Sequence, residues 1–419
     1  VSQTPTVDNV NDALGTAAEA ADLPTYPVTR TCPYSAPPVY EEVRNGERPK
    51  KVRMQDGNPA WMLTRYEDVR SVLADPRFSA DRLAPGFPIL APGQREGLSR
   101  QPKFMLSMDG KEHNDARRPV ISEFSVRRVA TMRPRIQEIV DDAIDELLKQ
   151  PQPADLVKWI GHPVPAMMVA ELVGAPLEQQ PYFRDLTSRI LAKGVTWEER
   201  FEISKTLRKF MDELIASKAE NPGDDLLSRQ IIQQREEHGE VNFEGLSALA
   251  HLLLFAGHDS SAGLISLGVY TFLTNPEQRA AVMAEPKERI PLAIEEMLRF
   301  YSITDIGAAR VALEDVEIGG VTIRAGEGVI ASVYAANHDP EVFENPGELD
   351  LLRGDRHHVA FGYGPHQCLA QNLSRLELEV VFETLFRRIP TLQLAVDVDE
   401  LPFKYDSVVF GLHALPVTW

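Results

Sequence analysis

Cysteine is nearly absent. Two residues in 419, Cys32 and Cys368, leave no material for a disulfide framework or for a zinc site built on cysteine. Positive charge is short as well: 44 Lys and Arg stand against 62 Asp and Glu, a formal net charge of -18, and no basic block tracks a phosphate backbone. Nucleic acid is therefore not an expected partner. The first 24 residues lack a basic stretch followed by an apolar one, so no secretory signal is expected there and they read as a flexible N-terminal tail. No clean membrane span is found either. The most apolar stretch, Gly245 to Leu273, carries His251, His258, Asp259, Ser260 and Ser261 in its middle, which a bilayer would make costly, so it reads as a core helix. Internal repeats and linkers are missing too. Together these absences favour a cytoplasmic monomer with one domain over residues 25–419.

What remains is a chain with 43% hydrophobic and 25% charged residues, able to bury a large core. Lys51 to Met54 and Ala60 to Thr64 read as a hairpin around Asp56-Gly57-Asn58-Pro59, and a helix follows from Tyr66 to Ala74. Phe78 to Gly110 is a Pro- and Gly-rich loop with apolar members such as Phe87 and Leu90, the composition of a lid or pocket wall. Helical periodicity then dominates: Lys111 to Phe124, Val129 to Leu148, Ala166 to Val173, Leu186 to Ala219, the long apolar helix and Pro286 to Phe300. Strand-like alternation returns over Val311 to Tyr334, and short strands close the chain after the amphipathic helix Leu369 to Phe386. The class is mainly α with small β-sheets (α+β).

Chemistry concentrates in three places. In Phe361-Gly362-Tyr363-Gly364-Pro365-His366-Gln367-Cys368-Leu369-Ala370 one cysteine follows two glycines and precedes a helix, whose free N–H groups favour a thiolate. A small buried thiol and a nucleophile served by His366 are the competing readings of Cys368. The second place is Ala256-Gly257-His258-Asp259-Ser260-Ser261, a polar notch in a helix about 40 Å long. An acid next to a hydroxyl, beside a glycine that leaves room for a small ligand, suits proton transfer, while back-bonded serines and a paired acid would serve structure alone. His251 and His258 lie about 10.5 Å apart along the helix, too far to share a metal. The third place is a pair of spacings, Glu296 with Arg299 and His113 with Arg117, each on one helical face.

The cysteine segment resembles the haem-binding loop of the cytochrome P450 superfamily, Phe-x-x-Gly-x-His-x-Cys-x-Gly/Ala, and the notch resembles its oxygen-binding motif with Ser260 where threonine is usual. The likeness runs from the early hairpin to the closing strands and is nearest to soluble actinobacterial members. It implies a single triangular fold around a long central helix, haem b (iron protoporphyrin IX) with Cys368 as axial ligand, and dioxygen as co-substrate. Phe361, Gly362, Gly364, His366, Ala256 and Gly257 would line the haem, and His113, Arg117, Arg310 and His358 would meet its propionates. Glu296 and Arg299, with Arg353, correspond to a structural brace. Asp259 and Ser260 would deliver protons, the loss of the threonine methyl leaving the hydroxyl freer to rotate.

The activity implied is hydroxylation or epoxidation of a lipophilic small molecule, such as a macrolide, polyketide, steroid-like or foreign compound. Electrons would come from NAD(P)H through a ferredoxin reductase and a ferredoxin, since the chain has no dinucleotide fingerprint of its own. Arg118, Arg127, Arg128 and Arg356 are docking candidates. Phe87, Leu90, Leu252, Phe255, Ile303, Ile306, Val409 and Phe410, with the stretch Leu186 to Thr206, are candidate pocket residues, each of which would serve equally in core packing. Three other functions fit the same residues: a nitric oxide reductase or peroxide-using enzyme, a haem sensor, and a haem-free helical binding protein.

Overall fold

The computed structural model describes residues 23–28, 30, 32–35, 37–46, 49–90, 94–99, 103–179, 181–183, 185–186, 197–304, 308–405, 407 and 409–419. The expected tail, as far as residue 22, Ile306 and residues 187–196 of the stretch Leu186 to Thr206 lie outside them, as does the side chain of Phe255.

Helices make most of the structure, and the longest, Phe243–Thr274, is its axis. Asn242 caps its start by accepting from Gly245 N at 2.9 Å. By length and composition this helix could cross a membrane, yet most of its apolar stretch is buried inside the protein. From Ser261 to Phe272 every residue is buried, in a core cluster shared with the helices Arg133–Leu148, Pro163–Val173, Pro286–Tyr301 and Gln371–Arg388. Contact with the last of these is closest at Gly268, where a β-carbon would lie 2.2 Å from the Phe382 ring. The large apolar area removed from water here is the main stabilising term.

Three small sheets lie beside the helices. Strands β1 (Lys50–Arg53), β2 (Pro59–Leu63), β3 (Phe78–Ser79), β5 (Ala309–Ala312) and β8 (Gly328–Ala331) form one sheet in the order β1-β2-β8-β5-β3. The expected hairpin is present, with Lys51 opposite Trp61 and Val52 opposite Ala60. Strands β4 (Ala154–Asp155), β9 (Gln393–Leu394) and β10 (Pro416–Thr418) form the second sheet, and β6 (Val316–Ile318) with β7 (Val321–Ile323) the third.

Several elements differ from the sequence expectation. The helix expected over Lys111 to Phe124 stops at Arg117, because Pro119 cannot continue the hydrogen-bond ladder, and a 3-10 turn covers Ile121–Phe124. The helix expected from Ala166 starts at Pro163, since prolines are tolerated in a first turn where N–H groups lack partners anyway. Within the Phe78 to Gly110 loop, β3 pairs with β5, and the helix Gln94–Ser99 and the 3-10 turn Met105–Ser107 add local order. Val333 and Tyr334, at the end of the stretch expected as strand, instead open a short helix, Val333–Asn337, capped by Ser332.

Candidate active site

The cysteine loop is built by its own backbone. Gly362 N donates to Val359 O at 2.8 Å, Gln367 N to Gly364 O at 3.0 Å and Cys368 N to Phe361 O at 2.8 Å. Gly364 has φ +71 and sits so near the helix Tyr66–Ala74 that a β-carbon would lie 2.6 Å from Leu73 O. The loop thus requires glycine there for conformation and for space. The helix Gln371–Arg388 begins just after the cysteine.

Cys368 and its neighbours Phe361, Gly362, His366, Leu369 and Ala370 keep partial surface although the core cluster packs around them. Accessible surface reappears at the notch of the central helix: Ala256 is exposed and Gly257, Asp259 and Ser260 are half-buried, immediately before the run of wholly buried residues. A β-carbon at Gly257 would meet only Val169, at 3.4 Å. Open space inside a buried helix calls for an occupant, because protein interiors are close-packed.

Burial pushes the Cys368 thiol up, against the Ala370 amide, Arg117 and Arg375, which favour the thiolate. Burial prevails in the protein alone, so a thiolate at this position needs a cation such as a metal ion beside it. The residues fit haem. Its two carboxylates need buried donors, and these converge nearby. Arg117 reaches the loop by donating to Gln367 O at 2.6 Å. The His113 and His366 rings lie 4.3 Å apart, and His113 Nε2, buried, has no hydrogen-bond partner. Burial and the neighbouring arginines keep both rings neutral, His366 down to about 3, so each is a hydrogen-bond donor and not a charge. Arg310 is buried on β5, and burial lowers its guanidinium to about 10 despite Asp109. Asp109 links this group to β3 by accepting from Ala80 N at 2.9 Å and from the Ser79 hydroxyl.

His358 does not join that group. Its Nε2 lies 2.9 Å from Glu295 Oε2, and its Nδ1 accepts from Ala360 N at 3.3 Å, so both ring nitrogens are engaged within the protein. Burial raises the Glu295 carboxyl, but His358 and Arg375, which approaches within 2.7 Å, outweigh it and hold it at about 2. The propionate role expected for His358 is thereby corrected to a brace beneath the cysteine loop.

Glu296 and Arg299 pair as their spacing allows, and Arg353 joins them. Arg299 donates to both Glu296 oxygens at 2.8 Å, and Arg353 Nε lies 3.2 Å from the same carboxylate.

At the notch the two relay candidates do not touch one another. Ser260 Oγ donates to Ala256 O at 2.6 Å, and Asp259 Oδ1 accepts from Lys404 Nζ at 2.8 Å. His258 lies 3.0 Å from His162 O and His251 3.1 Å from Ser247 O, so each imidazole has its own backbone partner. Two partners were missed from sequence. Lys404 lies 145 residues from the acid it pairs, and Glu377, buried on the helix after the cysteine, accepts from Ser261 Oγ at 3.0 Å. Neither carries a motif.

The pocket candidates separate by burial. Phe410 is corrected to core: its ring stacks on Phe403 at 6.1 Å and on Tyr405 at 6.0 Å, with the Arg30 guanidinium 4.6 Å away. Phe87 is likewise buried among Tyr26, Tyr40 and Val52, in the cluster beside β1 and β2. Ile303 is buried and accepts from Phe410 N at 2.9 Å. Leu90, Leu252 and Val409 keep the partial surface that a wall residue needs. Of the docking candidates, Arg118, Arg127 and Arg356 are exposed, whereas Arg128 is half-buried with Glu123 at 3.5 Å.

Comparison with known proteins agrees with this arrangement. Cytochrome P450 105A3 of Streptomyces carbophilus is 42% identical over 399 residues, covering 95% of this chain and 96% of its own. Vitamin D3 dihydroxylase of Streptomyces griseolus is 40% identical over 405 residues, covering 96% and 99%. The crystal structure of cytochrome P450 MoxA from Nonomuraea recticatena superposes with a TM-score of 0.91 at 50% identity, covering 94% of this chain and 98% of that one. The profile of the family described as Cytochrome P450 matches residues 52–416, so that fold and likeness agree: the chain belongs to the cytochrome P450 family and is a haem b monooxygenase.

Proposed function

We propose that Cys368 is the axial thiolate of the haem and that the enzyme hydroxylates or epoxidises a lipophilic small molecule of the size of a secondary metabolite, with electrons from a ferredoxin. The observation that carries the assignment of residues is the set of donors gathered at the cysteine loop, with Arg117 donating to Gln367 O at 2.6 Å and the His113 and His366 rings 4.3 Å apart. Arg117 and Arg310 would supply charge to the propionates, and His113 and His366 neutral hydrogen bonds.

Haem so held supplies dioxygen binding and reductive cleavage of its O–O bond, favoured by thiolate ligation. The protein's part is protonic and steric. Ser260 holds a hydroxyl at the open side of the helix, and the Asp259 carboxylate one residue away can accept and pass on a proton. Gly257 keeps the space beside them clear. Leu90, Leu252 and Val409 present apolar surface to the substrate. That a vitamin D3 dihydroxylase is a 40% identical relative supports a bulky, apolar substrate class. Exposed Arg118, Arg127 and Arg356 supply positive charge for an acidic iron-sulfur partner. A single domain over residues 25–419, a monomeric state and a cytoplasmic location complete the reading.

The test is spectroscopic. The purified protein is reduced and exposed to carbon monoxide, and the strongly red-shifted Soret band of thiolate-ligated haem is sought. Haem-loaded protein without that band overturns the assignment. Cys368→His is expected to abolish the band. Spin-state shifts across a panel of lipophilic compounds then rank substrate classes, and product formation with supplied ferredoxin and reductase separates an enzyme from a sensor.

A further inference from the structure

The ion pair between Asp259 and Lys404 connects two regions with different tasks. Lys404 Nζ lies 2.8 Å from Asp259 Oδ1, and the side chains keep only 9% and 19% exposure. Charges so enclosed are screened little by salt and hold each other firmly. Around them, the half-buried His162 ring and the buried His258 ring stand 5.4 Å apart, and His413 lies within electrostatic range of His162. Burial keeps both stacked imidazoles neutral, so the countercharge to Asp259 is Lys404.

Lys404 belongs to a two-armed segment near the chain's end. Lys404 N donates to Gly411 O at 2.8 Å, Phe403 bridges Leu412 in antiparallel fashion, and His413 N donates to Pro402 O at 2.9 Å. The segment meets the central helix backbone to backbone: a β-carbon on Gly411 would lie 2.9 Å from Gly263 Cα, and one on Gly263 would lie 2.7 Å from Phe410 O. Between its arms Val409, half-buried, faces the same helix at Gly263. One short segment therefore carries a wall residue of the pocket and the cation that holds the relay acid.

We propose that Lys404 is a positioning residue that couples this segment, and through Val409 the occupant of the pocket, to the relay acid Asp259. The inference rests on the monooxygenase reading above and adds a residue and a linkage to it. A ligand pressing on Val409 acts on one arm of this segment, and the Lys404 N–Gly411 O hydrogen bond carries the displacement to the other arm, where Lys404 transmits it to Asp259. By reciprocity, whatever ligand binding does to the pair, the pair does to ligand binding.

The test uses the haem-loaded full chain and 4-phenylimidazole, an azole whose nitrogen binds haem iron and whose ring fills the pocket, titrated by its Soret shift. Lys404→Met and Asp259→Asn are each expected to change the dissociation constant by about 3-fold or more, and the double variant by no more than either single one. Lys404→Arg should restore the wild-type value to within about 2-fold. Amide exchange over residues 402–413 should respond to the azole in the wild type and lose that response in Lys404→Met, whereas a lysine serving structure alone would raise exchange equally with and without ligand. Single-variant changes below about 1.5-fold, or changes that multiply in the double variant, overturn the coupling. Each variant's reduced carbon monoxide spectrum is recorded alongside. A chain without the thiolate-type band overturns the haem reading and the coupling together, and a chain with the band but independent variants overturns the coupling alone.

Discussion

Arg299 and Glu296 form a two-pronged ion pair with no exposed surface on either side chain, both contacts measuring 2.8 Å. The same guanidinium donates to Asn337 O at 2.8 Å and to Pro346 O at 2.9 Å, and Glu296 accepts from Asp350 N at 3.0 Å. The pair therefore fastens the helix Pro286–Tyr301 to the irregular segment that leads to the cysteine loop. Lysine cannot reproduce a planar fork with donors on both edges. Arg299→Lys leaves a buried carboxylate and two carbonyls short of donors, at a cost of roughly 3–5 kcal/mol. Urea unfolding followed by the Soret band and by far-UV circular dichroism measures this. A loss below about 1 kcal/mol would contradict the brace, since that is the range of a solvated pair.

The cysteine loop gives a sharper contrast. Gly362 and Gly364 have nearly equal positive φ, +72 and +71, but a β-carbon at Gly362 finds its nearest neighbour at 3.8 Å and one at Gly364 collides with Leu73 O at 2.6 Å. Among protein atoms Gly362→Ala thus meets only the conformational penalty of a left-handed residue, about 1–2 kcal/mol, and should still fold and load haem. Gly364→Ala must move the loop off the helix Tyr66–Ala74. Its Soret-to-280 nm absorbance ratio after purification is expected to fall several-fold below that of Gly362→Ala. Equal haem content in the two variants would show that the close approach to Leu73 does not set the loop.

These contrasts bear on what a sequence can disclose. The loop around Cys368 and the pair of Glu296 with Arg299 were legible because each needs residues at fixed short spacing on one loop or one helical face, whereas Asp259 and Ser260 were legible only as a polar notch and turn to separate partners, Lys404 and Ala256. The central helix was legible because its apolar run is long and its polar notch lies in the middle. His358 misled for the opposite reason: a histidine ten residues before the cysteine is near the site in sequence, yet its ring turns to Glu295, 63 residues upstream. Phe410 shows the same limit. An apolar residue near the chain's end fits a pocket wall or a core equally well, and only the aromatic stack with Phe403 and Tyr405 decides. Lys404 and Glu377 were silent because their partners are distant in the chain and pairing of that kind leaves no period or motif.

Ser260 offers a functional test at the notch. Its hydroxyl donates to Ala256 O at 2.6 Å, and its methyl-free side chain can leave that bond for a bound ligand at little steric cost. Ser260→Ala is expected to keep the thiolate-type carbon monoxide band while lowering product formed per electron consumed by roughly 2- to 10-fold, below the roughly 100-fold at which full acid–base contributions begin, because Asp259 remains. Ser260→Thr should recover most of it. Equal coupling in the alanine variant would remove Ser260 from the relay.

Glu377 makes stability depend on pH in an unusual direction. The carboxyl is 3% exposed, Oε2 accepts from Ser261 Oγ at 3.0 Å, and Oε1 has no partner. Burial raises it from 4.5 to about 8 against the single opposing hydrogen bond. A carboxyl raised on folding binds its proton more tightly in the folded chain than in the unfolded one. Its contribution is therefore complete below 4.5 and is lost progressively as the pH rises toward 8, at up to about 1.4 kcal/mol per pH unit. Glutamine keeps the shape, accepts from Ser261 and has no proton to lose. Between pH 5.5 and pH 8 the wild-type melting temperature is expected to fall further than that of Glu377→Gln, by several degrees if even about 2 kcal/mol of the linkage is realised. Thermal melts at the two pH values decide it: parallel shifts in both proteins would mean that Glu377 is already ionised in the folded chain, and that its unpaired oxygen is met by a donor beyond its side-chain neighbours.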